Sequence, residues 1–150
     1  MANLTDPPAA IVKQYLINQS VGVDPVTSPD TDWPIFVGTM PDDDDVMDRA
    51  LAIFDTTAVM DGRDVQDGEV FLHFGIQVLI RADTYPTGWT RLKLVMDKLD
   101  VALSVSVVYN STTYNFVNSS RTSFFVLGTE PDKRRRETFS VNSLVAISET

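Results

Sequence analysis

The chain has 150 residues, 43% hydrophobic and 22% charged, with a net charge of −9, which suits one ordinary globular domain built on a single core. It contains no cysteine, so disulfides, thiolate catalysis and thiolate zinc sites are excluded, and no apolar run reaches the roughly 18 residues needed to cross a bilayer. An acidic chain gains nothing by neutralising phosphates, so nucleic acid is not an expected electrostatic partner. Met1–Asp6 lacks a basic cluster followed by an apolar stretch, so no secretory signal is expected.

The first element is predicted as a helix over Pro7–Asn18. Asp6 is a suitable N-cap, proline is tolerated in a first turn, and Pro8, Ile11, Val12, Tyr15 and Leu16 recur at helical spacing. Val21–Asp32 holds Gly22, Pro25, Ser28 and Pro29 and reads as a loop or arm. Trp33–Gly38 reads as a short strand, and Pro34 assigns it to a sheet edge or to a strand start. Four adjacent carboxylates, Asp42 to Asp45, then require water. Ala50–Val59 is predicted as a strand, and Asp61–Asp67 as a polar turn.

Val70, Leu72, Phe74, Ile76, Val78 and Ile80 alternate with Phe71, His73, Gly75, Gln77, Leu79 and Arg81. This period of two marks a strand with one wholly apolar face. After Asp83-Thr84-Tyr85-Pro86 a second helix is expected to about Leu103, with Trp89, Leu92, Val95, Met96, Leu99, Ala102 and Leu103 as its stripe against the sheet. Strands near Val105–Tyr109 and Tyr114–Asn118 follow, with a turn at Asn110–Thr113. A terminal hairpin of Thr122–Thr129 and Thr138–Ser148 closes the chain around a charged tip, Glu130 to Glu137. The order predicts an α+β fold: a mostly antiparallel sheet with two helices packed on one face and a long C-terminal hairpin.

Charge is unevenly spread. Ten carboxylates lie between Met40 and Val70 against Arg49 and Arg63, and nine of the twelve basic residues lie between Arg81 and Arg136. Acidic and basic zones on one chain allow head-to-tail pairing of copies; solvated loops are the other reading of both zones. The candidate interface residues are Asp42, Asp43, Asp44 and Asp45 on one side and Lys133, Arg134, Arg135 and Arg136 on the other.

No catalytic constellation is present. His73 is the one histidine and has no orienting motif beside it, so it reads as a structural residue. There is no nucleophile elbow, phosphate-cradling loop or His-Glu-x-x-His. Asp42–Asp45 could attract a divalent cation, but consecutive residues do not converge on one point. Asp61–Asp67 imitates a calcium loop and fails where Arg63 and Val65 replace oxygen donors. No catalytic residue, metal or cofactor is expected.

Three passages carry a likeness: Phe36-Val37-Gly38-Thr39-Met40-Pro41-Asp42, Ile76-Gln77-Val78-Leu79-Ile80-Arg81-Ala82-Asp83, and the ending from Leu127 through Glu130-Pro131-Asp132-Lys133 to Asn142. In order and spacing, over roughly Gln14 to Ser148, the chain resembles the tail terminator proteins of long-tailed bacteriophages, also called minor capsid or tail completion proteins. The resemblance implies a virion protein, assembled in the host cytoplasm, that forms a homo-oligomeric ring, usually a hexamer, on the head-proximal end of the tail tube. There it would halt tube polymerisation and meet the head-tail connector, with the major tail tube protein as its other partner. DNA would pass through without specific binding, and no membrane is involved. A head-side completion protein that binds the portal assembly is the alternative reading. A small metal-dependent hydrolase using the Asp cluster is a third.

Overall fold

Helix α1 (Pro8–Asn18) buries Ile11, Val12, Tyr15 and Leu16, the stripe expected from their spacing. Its start differs from expectation. Pro7 occupies the N-cap and no side chain of the local sequence caps the helix. Asp6 is drawn away instead: its carboxylate accepts hydrogen bonds from the Tyr114 hydroxyl and from Asn110 Nδ2. The Ala9 N–H donates to Asp55 Oδ1 at 2.9 Å, so a carboxylate at the end of a strand satisfies the open helix terminus.

The computed structural model describes residues 4–41, 48–56, 59–63, 70–102, 104–129 and 136–149. Seven strands follow α1: β1 (Ile35–Val37), β2 (Ala50–Asp55), β3 (Val59–Arg63), β4 (Val70–Ala82), β5 (Val105–Tyr109), β6 (Thr112–Thr129) and β7 (Glu137–Glu149); helix α2 (Tyr85–Asp100) lies between β4 and β5. The order in the sheet is β1-β2-β4-β7-β6-β5, with β3 paired to the first part of β4. Only β1 and β2 run parallel; the other pairs are antiparallel. The fold is α+β, as the element order predicts.

Register explains how the core forms. Leu51 pairs with Ile80, Ile53 with Val78, Phe139 with Ile80 and Val141 with Val78. All six side chains are buried on one face of the sheet. Both helices pack against that face, and the buried side chains make one cluster. The opposite face is mixed: Leu79 and Leu144 stand on it beside a polar cross-link in which Gln77 Nε2 donates to Ser140 Oγ at 3.0 Å and Asn142 Nδ2 to Ser123 Oγ at 3.1 Å.

Two strand expectations need correction. The strand expected over Ala50–Val59 is interrupted: β2 ends at Asp55, and β3 takes in Asp61–Arg63, which read as the start of a turn. The strands expected at Tyr114–Asn118 and Thr122–Thr129 are one strand of 18 residues. Bulges at Phe116/Asn118, Arg121/Ser123 and Val126/Gly128 shift the alternation along it, so the sequence period breaks while the pairing with β7 continues. Val21–Asp32, expected as a loop or arm, is a loop packed on the fold. Val21 is fully buried, and Val23 forms a single bridge to Pro34 beside the edge strand β1. The turn between β5 and β6 has positive φ at Asn110 (48°) and Ser111 (63°), the geometry of a two-residue hairpin.

In α2, Thr84 caps the first turn through Thr87 N–H and Leu92, Val95, Met96 and Leu99 are buried. Trp89, expected in the buried stripe, is 38% exposed. The reason lies one residue earlier. A Cβ on Gly88 would stand 2.2 Å from Phe139 Cε2, so the helix approaches β7 at a point where only glycine fits. The next residue is turned about 100° around the helix and faces outward. Gly88→Ala is therefore expected to destabilise the protein by about 1–3 kcal/mol through overpacking, although alanine is favoured over glycine in a helix by roughly 1 kcal/mol. Urea denaturation checks this; a more stable variant would mean that the helix stands clear of Phe139.

Candidate subunit interface

The strand registers place the anchors of both charged segments at one end of the sheet. Ala50 pairs with Arg81, Ala82 with Glu137, and Thr129 with Glu137. The chain enters the acidic segment after Pro41, whose carbonyl accepts from Arg81 Nη1 at 3.1 Å, and leaves it at Asp48, next to β2. It enters the basic segment after Thr129 at the end of β6 and leaves it at Arg136. Asp42, Asp43, Asp44, Asp45, Lys133, Arg134 and Arg135 lie outside the described residues. Their anchors share an end of the sheet but stand on different strands. From β2 to β6 is three strand spacings, about 14 Å.

Arg136 differs from the three basic residues before it: its side chain is fully buried within the chain. A strand-adjacent position at the base of the hairpin explains this, since Glu137 is already paired on both sides. No local feature of a Lys-Arg-Arg-Arg run distinguishes its last member.

A second group of carboxylates adjoins the acidic anchor. Asp32, Asp48 and Asp83 line a shallow hollow of about 370 Å³ with Arg49 among them. Arg49 Nε donates to Asp83 Oδ1 at 2.9 Å and Nη2 to Asp83 Oδ2 at 3.3 Å, while Nη1 lies 3.4 Å from Asp32 Oδ2. The hydrogen bond from Arg49 lowers the Asp83 pKa, and the same bond raises that of Arg49. Both groups are wet, so the pairing adds little stability. Three carboxylates against one guanidinium leave the hollow with a charge of −3 + 1 = −2.

Beside it, Arg91 lies 4.4 Å over the Trp33 ring and donates to the Val21 carbonyl at 2.6 Å. Burial lowers its pKa, and the charge of Arg49 adds to this while Asp32 opposes it. These contacts hold the loop preceding β1 onto α2. Trp33 has φ of 66°, a left-handed conformation that a bulky residue rarely adopts.

Where α2 meets β6, on the helix-bearing face, the structure brings together residues that the sequence does not join. Tyr85 stacks with Trp89 at 6.4 Å between ring centroids, Trp89 meets Phe124 edge-on at 6.3 Å, and Tyr85 rests on the buried Phe139 at 5.5 Å. Arg121 sits 5.9 Å from the Phe124 ring and 3.7 Å from Asp100. Tyr85, Trp89, Phe124 and Val126 all remain exposed. The one signal for this group in the sequence is the i, i+4 spacing of Tyr85 and Trp89.

For chemistry the arrangement offers little. His73 is half-buried in β4 opposite Val59. Among the described residues, no group of three or more His, Asp or Glu side chains is placed to hold a metal ion. No helix among them is long and apolar enough to cross a membrane.

Comparison with known proteins agrees with a structural role. Residues 15–142 match the model of a family described as bacteriophage tail terminator protein. No curated protein matches the chain. Among solved structures, a chain from the virion of a native gene transfer agent particle is similar, with a TM-score of 0.53 at 14% identity over 95% of each chain; at that identity the likeness speaks for the fold. The family match spans most of the sequence, so this chain is a member of the bacteriophage tail terminator family, a structural component of the virion and not an enzyme.

Proposed function

We propose that copies of this chain close into a ring, a hexamer, on the head-proximal end of the tail tube, stop its polymerisation and offer the joining surface for the head-tail connector. The ring's copies come from the host cytoplasm, and DNA passes through the ring unbound. The observation that supports this reading is the placement of charge. Gln19–Asp48 carries eight carboxylates and no cation, whereas Val105–Arg136 carries five cations and two carboxylates, a net charge of 5 − 2 = +3. The first segment holds β1 and leads into β2, while the second holds β5 and β6 and leads into β7; the anchors of their charged runs share one end of the sheet. Copies standing side by side meet acidic flank to basic flank, and the same contact repeats at each step. A heterologous contact of this kind makes a ring when the rotation closes. An excess of negative charge on the finished ring keeps DNA phosphates from adhering.

Tube assembly tests the proposal. Tube subunits polymerised with this chain are expected to give tubes of limited length with a ring at one end in electron micrographs. Tubes that grow as long with the chain as without it would remove the stopping role.

A further inference from the structure

We infer that the exposed shelf of Tyr85, Trp89, Phe124 and Val126, with the open edge of β6 beside it, is the seat of a second copy of this chain, which presents β1 and the loop before it. The inference rests on the ring reading and deepens it, because it names an apolar centre for a contact so far argued from charge alone.

Two features coincide on this side of the sheet. The first is the shelf. Val126 pairs with Phe139 and Phe124 with Val141, so both stand on the helix-bearing face, one strand beyond the buried pair. Helix α2 covers Phe139 and Val141 but leaves Phe124 45% exposed. Tyrosine and tryptophan gathered in one exposed patch are what binding surfaces use for anchoring, since each offers a large area with few rotatable bonds. The second is the strand edge. β5 pairs with β6 only as far as Phe116, so no described strand borders Val117–Thr129 on that side. An open edge of this length is a template for pairing with another chain. Its bulges limit how far a neighbour's strand could follow it, which leaves the side chains of the shelf to provide most of the contact.

The choice of a second copy follows from what lies on the opposite flank. There Val26 is 84% exposed and Val37 is 41% exposed, in a stretch of chain that also carries Asp24, Asp30 and Asp32. An acidic flank with exposed apolar residues suits an apolar shelf on a flank, Val105–Thr129, that carries Arg121 and no carboxylate. The Asp-rich flank of the same chain would be repelled by itself, so the contact is head to tail.

The natural absence of cysteine makes the test direct. Val37→Cys and Leu127→Cys are prepared separately, mixed, and treated with a short bismaleimide, both in solution and on isolated tube ends. A cross-linked dimer from the mixture and none from either variant alone is expected. Dimers from one variant alone would show a two-fold contact and overturn the inference. In parallel, Trp89→Ser and Phe124→Ser replace exposed side chains, so the fold measured by circular dichroism is expected to survive in at least one of them. Self-association, followed by sedimentation, is expected to weaken by about 30-fold or more, the range of an interface anchor. Parental self-association in a folded variant overturns the shelf and leaves the ring reading standing. Self-association kept while tube stopping is lost would assign the shelf to the tube subunit and overturn the second-copy inference. Failure of the parent to multimerise in solution or on tube ends would sink both.

Discussion

Arg136→Glu is expected to destabilise the monomer by about 3–5 kcal/mol, the range seen when a buried charged group loses its compensation. Arg134→Glu, in a tip whose run of charge predicts solvation, is expected to stay within about 0.5 kcal/mol of the parent. The two residues differ by two positions in a run of like charge, and sequence gives no reason to separate them. The structure gives one: the Arg136 guanidinium is completely enclosed within the chain. A carboxylate there would be enclosed with no bulk solvent to hydrate it. Against a typical total stability of about 5–15 kcal/mol, the loss is a large share. For a chain of this size it corresponds to a fall in Tm of about 6–20 °C. Thermal unfolding of the two variants side by side measures the difference. Equal melting temperatures would mean that Arg136 is not enclosed. The practical consequence is that assembly defects of Arg136 variants report folding, so tests of the interface belong on Lys133, Arg134 and Arg135.

How much of this was legible beforehand depends on whether a signal was local. The α1 stripe and the alternation of Ile76, Val78 and Ile80 were readable because each element buries one face and its period follows from backbone geometry. The fold class followed from the order of those elements. β6 was misread because its three bulges reset the alternation, and a bulge is specified by pairing with β7 rather than by the strand's own residues. The cap of α1 was assigned to Asp6 on local rules, but Tyr114, over a hundred positions away, claims that carboxylate and Asp55 takes its place. Trp89 was placed in the core because its spacing fits the stripe. Its exposure is dictated by the close approach of Gly88 to Phe139, which no helical periodicity encodes. The shelf has the same origin, since its partners Phe124 and Val126 come from a strand whose bulges no local pattern encodes. Charge zones are visible in the sequence, but only the strand registers bring their anchors, beside β2 and between β6 and β7, to one end of the sheet.

Reversing Lys133, Arg134 and Arg135 to Glu is expected to abolish assembly and leave the melting temperature of the monomer unchanged. The combined change alters the charge of the basic flank by six units, from +3 to −3, and sets it against a neighbour's flank of eight carboxylates. Single exposed pairs contribute only about 0–1 kcal/mol, so loss of one would be scarcely visible. Like charges juxtaposed across an interface, in contrast, cost several kcal/mol and slow the encounter of the partners as well. The decisive measurement is a charge swap. Asp42, Asp43, Asp44 and Asp45 changed to Lys should also prevent assembly when that variant is alone. Mixed with the hairpin variant, it is expected to form alternating contacts of restored complementarity, seen as mixed dimers by native mass spectrometry, whereas each variant alone stays monomeric. Such recovery cannot come from a change in folding, because each variant carries its own substitutions into the mixture. Mixing that restores nothing would show that the two segments do not face one another, and the apolar shelf would then have to hold neighbouring copies without help from charge. Raised salt provides a further control: it is expected to weaken the parental contact and to relieve the repulsion in the hairpin variant, since both effects act across solvent at distances comparable with the Debye length.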